Sequence, residues 1–562
     1  MAALGSHGRG VRAPASLREV TDGGAEDAGP PDRGIGHHGR PADEARADHR
    51  GHRVTWPLWA VGVAAVPIVL LAVLVLRSHP VTRTAWLATT VAALLALGVF
   101  GLDPGELGVA GLRGAWTGIW ILLIVLPALL LFEVLDRSGA LDHLTVAADR
   151  LAPTDGRRLL LLAFVLPSFL QGAAGFGAPI AMSAPMLVRR GMAPVAAVAA
   201  CLIGYQWSVT FGSMGSSYFM AEATARLTDA EAASFALRAG VVLAISAVVS
   251  GLLVLTRARR SPGDRWRALA LGGVMGTVLI AVVAVQPALG STAAGLAGLL
   301  ACWWLLPDRG TSRPRGTDLL VAASPYLVLT LAAVVGFAVP PVRALLEQVP
   351  ELAPTLPGST AAFGFATDTA TMTPVFRPLL HPLPYVALAV LVAAVAYRRR
   401  GWWPSVQTRD AIGGWLGRSR KVAASILGLT VLAAVLTEAG MIAAIAQALA
   451  DALGMGFLAV SAPLGAFGTI LTGSTTASNA LFSSLQGQVA TALALAPALL
   501  LTGQTAGGNI GNALSPAVAA VGTAATGAAG REGEVLRRNL GASVLVVAVV
   551  FVLLVVQALL LP

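Results

Sequence analysis

Apolar runs of bilayer length recur from Val54 to the end of the chain, separated by short polar stretches rich in arginine. About 20 apolar residues cross a hydrocarbon core. The pattern predicts spans at about 54–76, 84–100, 115–133, 193–220, 236–255, 268–286, 291–306, 319–339, 383–397, 421–437, 490–522 and 540–561. Two further apolar stretches break at their centres. Leu159–Arg190 carries Gly172, Gly175 and Gly177, then Pro179; residues 456–488 carry Gly473 inside a Ser/Thr run. Glycine frees the backbone and proline removes a donor, so a helix opens there. Open backbone at membrane depth survives only against protein or a watery cavity. Both stretches are expected to be re-entrant hairpins; the alternative for the first is a single kinked span. An amphipathic stretch leads into each, at 136–156 and 439–453. Residues 340–382, polar and rich in proline, read as an outer loop with an interfacial piece.

Charge orients these elements. Arginine pairs flank the first broken stretch, Arg157-Arg158 before it and Arg189-Arg190 after it. Basic loops prefer the cytoplasm, so both ends should lie there. The clusters at 77–83, 257–267, 309–315, 398–421 and 531–538 are all placed inside by alternation when 159–190 and 456–488 are both hairpins. The same parity puts both termini outside.

Composition agrees with this. Of 562 residues, 56% are hydrophobic and 12% charged, against about 25% charged in a soluble domain. The formal charge of +10 is no nucleic-acid signal, because the arginines sit in short loops between apolar runs. Only Cys201 and Cys302 occur, which excludes a disulfide framework or a cysteine metal cluster. Residues 1–53 differ: five of the eight His, eight Arg against eight Asp plus Glu, and no apolar run. This composition predicts a disordered tail. No cofactor or metal is expected.

The halves resemble each other. Val134-Leu135, Gly139 and Gly172 recur as Val435-Leu436, Gly440 and Gly473, each 301 residues on. The order of elements also repeats: span, amphipathic stretch, glycine-rich hairpin, glycine-rich span. Charge parity starts the first copy outside and the second inside, the inverted repeat of many secondary transporters. The expected fold is an all-α polytopic membrane protein of about 12 transmembrane helices and two re-entrant hairpins. Its parts are a tail (1–53), a first half (54–339), the outer segment (340–382) and a second half (383–562).

Four blocks carry a family resemblance: FLQGAAGFGAPIA (169–181), FGSMG (211–215), TGSTTASNALFSSLQ (472–486) and TAGGNIGNALSP (505–516). In this order they resemble the signature blocks of the L-lactate permease family. The resemblance implies a multi-pass plasma-membrane carrier importing lactate, often also D-lactate and glycolate, with protons, and a place among ion transporters built on two opposed hairpins. The chain departs from the family pattern. Gln171 stands where the family often has Glu, Thr475 where it has Asp, and Asn512 where it has Lys. Tyr205, Gln206, Trp207 and Ser208 replace an Asn-Thr-Ala-Pro run. Three ionisable positions are thus neutral, which bears on proton coupling and on lactate specificity.

A small hydroxycarboxylate needs several donors for its two carboxylate oxygens and one partner for its hydroxyl. The expected site is Gln171, Gly172, Gly175 and Gly177 with Ser213, Gly215 and Ser216 from the first half. Gly473, Ser474, Thr475, Thr476, Ser478, Asn479, Gly507, Asn509 and Asn512 complete it from the second. Close packing through small residues also enriches Gly, Ser and Thr and is the competing explanation. For protons, Glu133, Glu438 and Asp368 are the acids of the apolar zone, the first two read as helix-end groups. His143 and His381 read as interfacial. No proton relay is evident, so Na⁺ remains an alternative coupling ion, and another small anion or a neutral solute an alternative substrate. A membrane-embedded enzyme would need clustered acids or histidines at bilayer depth, which this pattern lacks.

Overall fold

The computed structural model describes residues 56–561, apart from 78, 141–142, 144–151, 153, 176, 258–262, 307–316, 373 and 404. The expectations for the tail and for most of the stretch 136–156 lie outside these residues. Helices follow the apolar runs. α1 (Leu58–Leu76), α2 (Val81–Gly98) and α3 (Pro104–Arg137) come first. α3 starts on a capping box: Asp103 accepts from the Gly105 N–H, and Glu106 accepts from the Asp103 N–H. One helical turn at Asp155–Leu159 and a π-helical stretch at Leu160–Val165 lead into α4 (Leu166–Ala174) and α5 (Ala178–Arg189). Then come α6 (Pro194–Tyr205), α7 (Ser216–Ala225), α8 (Asp229–Val254), α9 (Asp264–Val283), α10 (Gly290–Leu305) and α11 (Thr317–Ala338).

The connecting segment holds α12 (Pro340–Leu346) and a short antiparallel pair, β1 (Thr355–Leu356) with β2 (Ala370–Thr371), Thr355 opposite Thr371. The second half is α13 (Pro382–Arg399), α14 (Ser405–Glu438), α15 (Met441–Leu453), α16 (Phe457–Thr472) and α17 (Thr475–Ala492). It ends with α18 (Pro497–Asn512), α19 (Pro516–Ala525) and α20 (Glu532–Leu560). Among the described residues, 11 helices are long and apolar enough to cross a membrane, or 12 with one bent pair counted as a span. The chain is an all-α polytopic membrane protein.

The helix breaks organise the rest. After Gly175 (φ 25°) and Gly177 (φ 90°), α5 folds back along α4 and the preceding π-helical stretch. After Gly473 (φ 73°), α17 folds back along α16, where the Ser478 hydroxyl donates to the Gly465 carbonyl at 2.9 Å and Ser461 donates to Gln486 at 2.7 Å.

Two stretches expected as continuous spans, 193–220 and 490–522, are broken instead. The first bends by 45° between residues 194–208 and 213–225, because Ser213, Met214 and Gly215 all take positive φ. The second stops at Asn512 and restarts at Pro516, whose missing N–H and disfavoured helical predecessor end one helix and begin another. Each half thus holds a reversal followed by a broken helix.

Small residues set the packing. A Cβ on Gly465 would overlap the Gln504 carbonyl, and one on Gly507 the Ala462 carbonyl, so α16 and α18 meet backbone to backbone. Without a hydrophobic drive between helices in lipid, such close approach supplies much of their attraction. α3 and α14 form the other long contact, clamped by buried ion groups. Near one end Glu133 pairs with Arg418 and, at 3.0 Å, with Arg137. Near the other, Glu438 pairs with Arg226 and lies 3.6 Å from Arg113. Ser359 and Thr367 of the connecting segment also donate to Glu438, at 2.8 Å each. The two acids read as helix-end groups are therefore fully enclosed structural anchors.

Gly507→Ala is expected to lower the thermal stability of the detergent-solubilised protein by at least the ~1–3 kcal/mol typical of overpacking. Gly541→Ala, with no atom within 4 Å of the new Cβ, serves as its control. Fluorescence-detected size exclusion after heating reads both; equal melting would refute the packing account.

Candidate functional site

Between the reversals lies a cavity of about 340 Å³, at the lower end of the range of small-molecule sites. Its wall is built from helix beginnings. Gly177 precedes α5, Ser216 and Ser217 open α7, Ser474 to Thr476 open α17, and Ala517 and Val518 lie in the first turn of α19. Four N-termini, two from each half, thus border one space. The unpaired N–H groups of a first turn and the helix dipole together favour an anion. Breaking each helix here is what exposes those termini.

Of the sixteen expected residues, the cavity wall takes Gln171, Gly177, Ser213, Ser216, Gly473, Ser474, Thr475, Thr476 and Asn512. The other seven serve the frame around it. Gly172 packs on the backbone of Ser291 and Thr292, and a Cβ on Gly175 would overlap the Ser213 hydroxyl. Gly215 lies against Ala288, and Gly507 against Ala462. Ser478 is spent on the Gly465 carbonyl. The Asn479 amide donates to the Ser217 carbonyl at 2.8 Å and to Thr505 at 3.1 Å. The Asn509 amide donates to the Trp207 carbonyl at 3.2 Å and accepts from Thr210 at 3.0 Å. Thr476 shares a hydrogen bond of 2.8 Å with Ser217. These bonds tie the first half's broken helix to α17 and α18 of the second.

Two of the positions that depart from the family pattern touch. The Asn512 amide donates to the Thr475 hydroxyl at 2.7 Å. Where the family pattern has Lys and Asp, this chain has a neutral donor on a neutral acceptor. Gln171 lies on the same wall.

Sequence reasoning missed two cations on that wall, Arg418 and Lys421. Their place in a basic cluster reads as a cytoplasmic loop. The helix in fact begins at Ser405, so they lie three apart on its side, one turn from each other. Glu133 holds the half-exposed Arg418 in place. Lys421 has no ion-pair partner among the described residues. Arg at i and Lys at i+3 ahead of an apolar run was the available signal. Leu129, Val209, Val422 and Val521 supply apolar surface. Among the described residues the wall carries no carboxylate.

Comparison with known proteins agrees with this geometry. A family model described as L-lactate permease matches residues 61–561. The L-lactate permease of Salmonella typhimurium is 28% identical over 88% of this chain and 95% of its own. The glycolate permease GlcA of Escherichia coli is 27% identical over 90% of this chain and 98% of its own, and the L-lactate permease of Bacillus subtilis 27% over 84% and 91%. Among solved structures, the YdaH transporter of Alcanivorax borkumensis superposes with a TM-score of 0.50 at 16% identity, covering 87% of this chain and 98% of its own. That likeness extends the shared fold to a transporter of different sequence. The match over nearly all of the membrane-spanning chain, with the blocks at 169–181, 211–215, 472–486 and 505–516 converging on one cavity, places the protein in the L-lactate permease family, as a multi-pass plasma-membrane transporter and not an enzyme.

Proposed function

We propose that this carrier imports lactate or glycolate with a proton, binding the substrate in the 340 Å³ cavity. The observation that carries the reading is the convergence of four helix N-termini and two basic side chains on a space without a carboxylate. An α-hydroxycarboxylate fits that chemistry. Its carboxylate takes N–H groups of the first turns and the charge of Lys421 and Arg418; its hydroxyl takes Thr475, Asn512 or Gln171. The apolar wall suits the methyl of lactate, and glycolate, lacking it, is the smaller member of the same class.

The reversals are read as hairpins dipping from opposite faces, 159–190 from the cytoplasm and 456–488 from outside. The first side then includes Arg398–Arg400 and the second the segment 340–382. Relative motion of the two halves about the central cavity alternates access. The neutral Thr475–Asn512 contact favours a second arm of the same reading, in which Na⁺ replaces the proton. Purified protein in vesicles, given labelled lactate or glycolate with H⁺ and Na⁺ gradients imposed separately, separates the arms. Flux of neither substrate in any gradient rejects the reading.

Lys421→Gln is expected to raise the KM for lactate about tenfold, the loss of roughly one charge-assisted hydrogen bond, with little change in the amount of folded protein. An unchanged KM would remove Lys421 from the site. Thr475→Asp alone should cut uptake by about tenfold or more, because a second carboxylate would face the substrate without a partner. Adding Asn512→Lys should recover much of that loss, since Asn512 already contacts Thr475 at 2.7 Å. Uptake that is no better in the double variant than in Thr475→Asp would show that the two positions do not act together.

A further inference from the structure

The cavity that would hold the anion has no acid, so a proton carried with it must bind elsewhere. Most carboxylates of the helices are already held. Glu133 and Glu438 are locked by arginines, Glu106 accepts from Thr360 and from its own cap, and Asp318 pairs with Arg400. Glu222 differs. It sits on α7 and lines a second cavity, of about 290 Å³, bordered by the segment 374–382. No basic side chain pairs with it among the described residues. The two arginines of that cavity are engaged elsewhere, Arg343 with Glu347 at 2.8 Å and Arg377 with Glu351 at 2.9 Å.

Helix α7 joins the two cavities. Ser216 and Ser217, at its start, line the first; Phe219, Glu222 and Ala223 line the second. Glu222 follows Ser217 by five positions, about 7.5 Å along the axis. We propose that Glu222 is the proton-binding acid of this carrier, charged when the second cavity is hydrated and neutral when it closes. The inference rests on the lactate reading above and names the group that would couple it to protons.

The physical reason is the cost of enclosing an unpaired carboxylate in the membrane. A hydrated cavity solvates ionised Glu222. Closing that cavity strips the water, and no cation replaces it. Transfer of a proton from hydronium to the carboxylate oxygen, leaving water behind, removes the charge and permits closure. The reverse transfer to water follows when the opposite face opens. Because the same short helix presents Ser216 and Ser217 to the anion, a shift of α7 reaches both sites. The groups facing Glu222 are Tyr218 on its own helix, Asp229 at the start of α8, and His381, Arg343 and Arg377 across the cavity. Burial pushes His381, which precedes α13, down to about 4, so its ring is neutral and does not neutralise Glu222. Tyr218 donates to the Ala232 carbonyl at 2.7 Å.

The test uses purified full-length protein in vesicles with labelled lactate. Wild type should accumulate lactate under an acid-outside gradient, and its lactate exchange without a gradient should depend on external pH. Glu222→Gln should show no accumulation, while its exchange persists and becomes independent of pH. Glu222→Asp should retain accumulation. Exchange in the same vesicles shows that the variant is folded. Should Glu222→Gln still accumulate lactate under the proton gradient, or should wild type respond only to Na⁺, the assignment of Glu222 is overturned while lactate transport stands. Absence of lactate exchange by wild type would instead overturn the substrate reading, and the assignment with it.

Discussion

A peptide group left open inside a bilayer must find its partner within the protein, and this constraint governs the centre of the molecule. Four helices are interrupted there, and side chains from elsewhere receive the loose backbone. Asn509 takes the Trp207 carbonyl, Ser291 the Ser208 carbonyl at 2.6 Å, and Asn539 the Ala513 carbonyl at 3.1 Å. The bond from Asn509 to Trp207 crosses from one half to the other, as does that from Asn479 to the Ser217 carbonyl. The polar residues that make the breaks tolerable are therefore also what holds the halves together. Helix ends border the cavity as a result, and first-turn N–H groups have no carbonyl of their own helix to bond; two are already taken, that of Ala477 by the Ser474 hydroxyl and that of Tyr218 by the Thr210 carbonyl.

Such an arrangement demands close packing around it. Gly465, Gly507 and Gly511 let α16 and α18 touch through their backbones, and hydroxyls such as Ser461, 2.8 Å from the Leu500 carbonyl, fill the remaining gaps. Further out, the Glu133 and Glu438 clusters fix the α3–α14 pair. Isolated charges there would be costly, whereas each carboxylate here meets two arginines. Glu438 also receives hydroxyls from Ser359 and Thr367, so the connecting segment is tied to the helix that lines the central cavity near Arg418 and Lys421.

Hydropathy alone marks nearly every helix, because a bilayer leaves few alternatives to a long apolar helix. The glycines at 175, 177 and 473 mark two of the four interruptions, since positive φ is what glycine supplies at lowest strain. The break at 209–215 is hidden, as two of its three positive-φ residues are Ser213 and Met214, which composition does not flag. The hydroxyl-rich wall is legible from the Ser/Thr blocks, but not which members face inward. Ser478 and Asn479 follow Thr475 and Thr476 after a single alanine, yet turn to neighbouring helices, a distinction of helical phase and not of residue type. Arg418 and Lys421 are invisible for another reason: the rule that places basic residues in cytoplasmic loops explains them equally well. Glu222 is passed over among the acids because the predicted span ends at about 220, whereas the helix continues to Ala225, and its lack of a cation is a three-dimensional fact.

The proposed separation of the anion from the acid has a consequence for the neutral Thr475–Asn512 contact. An Asp–Lys pair in that position would place both signs beside the substrate, and each ion would be solvated mainly by the other. The substrate carboxylate would then compete with the Asp for the Lys. In this chain the contact is a hydrogen bond of 2.7 Å between uncharged groups, so nothing on the wall competes for the N-termini or for Lys421. Arg418 is already paired with Glu133, so the positive potential left uncompensated at the cavity is that of Lys421 and the helix N-termini. That favours binding of any small carboxylate and transfers discrimination to shape: the apolar surface of Leu129, Val209, Val422 and Val521. On the proposed reading, selectivity among hydroxycarboxylates becomes a matter of fit around the carbon next to the carboxylate, while the charge is read by helix ends whose positions the breaks determine.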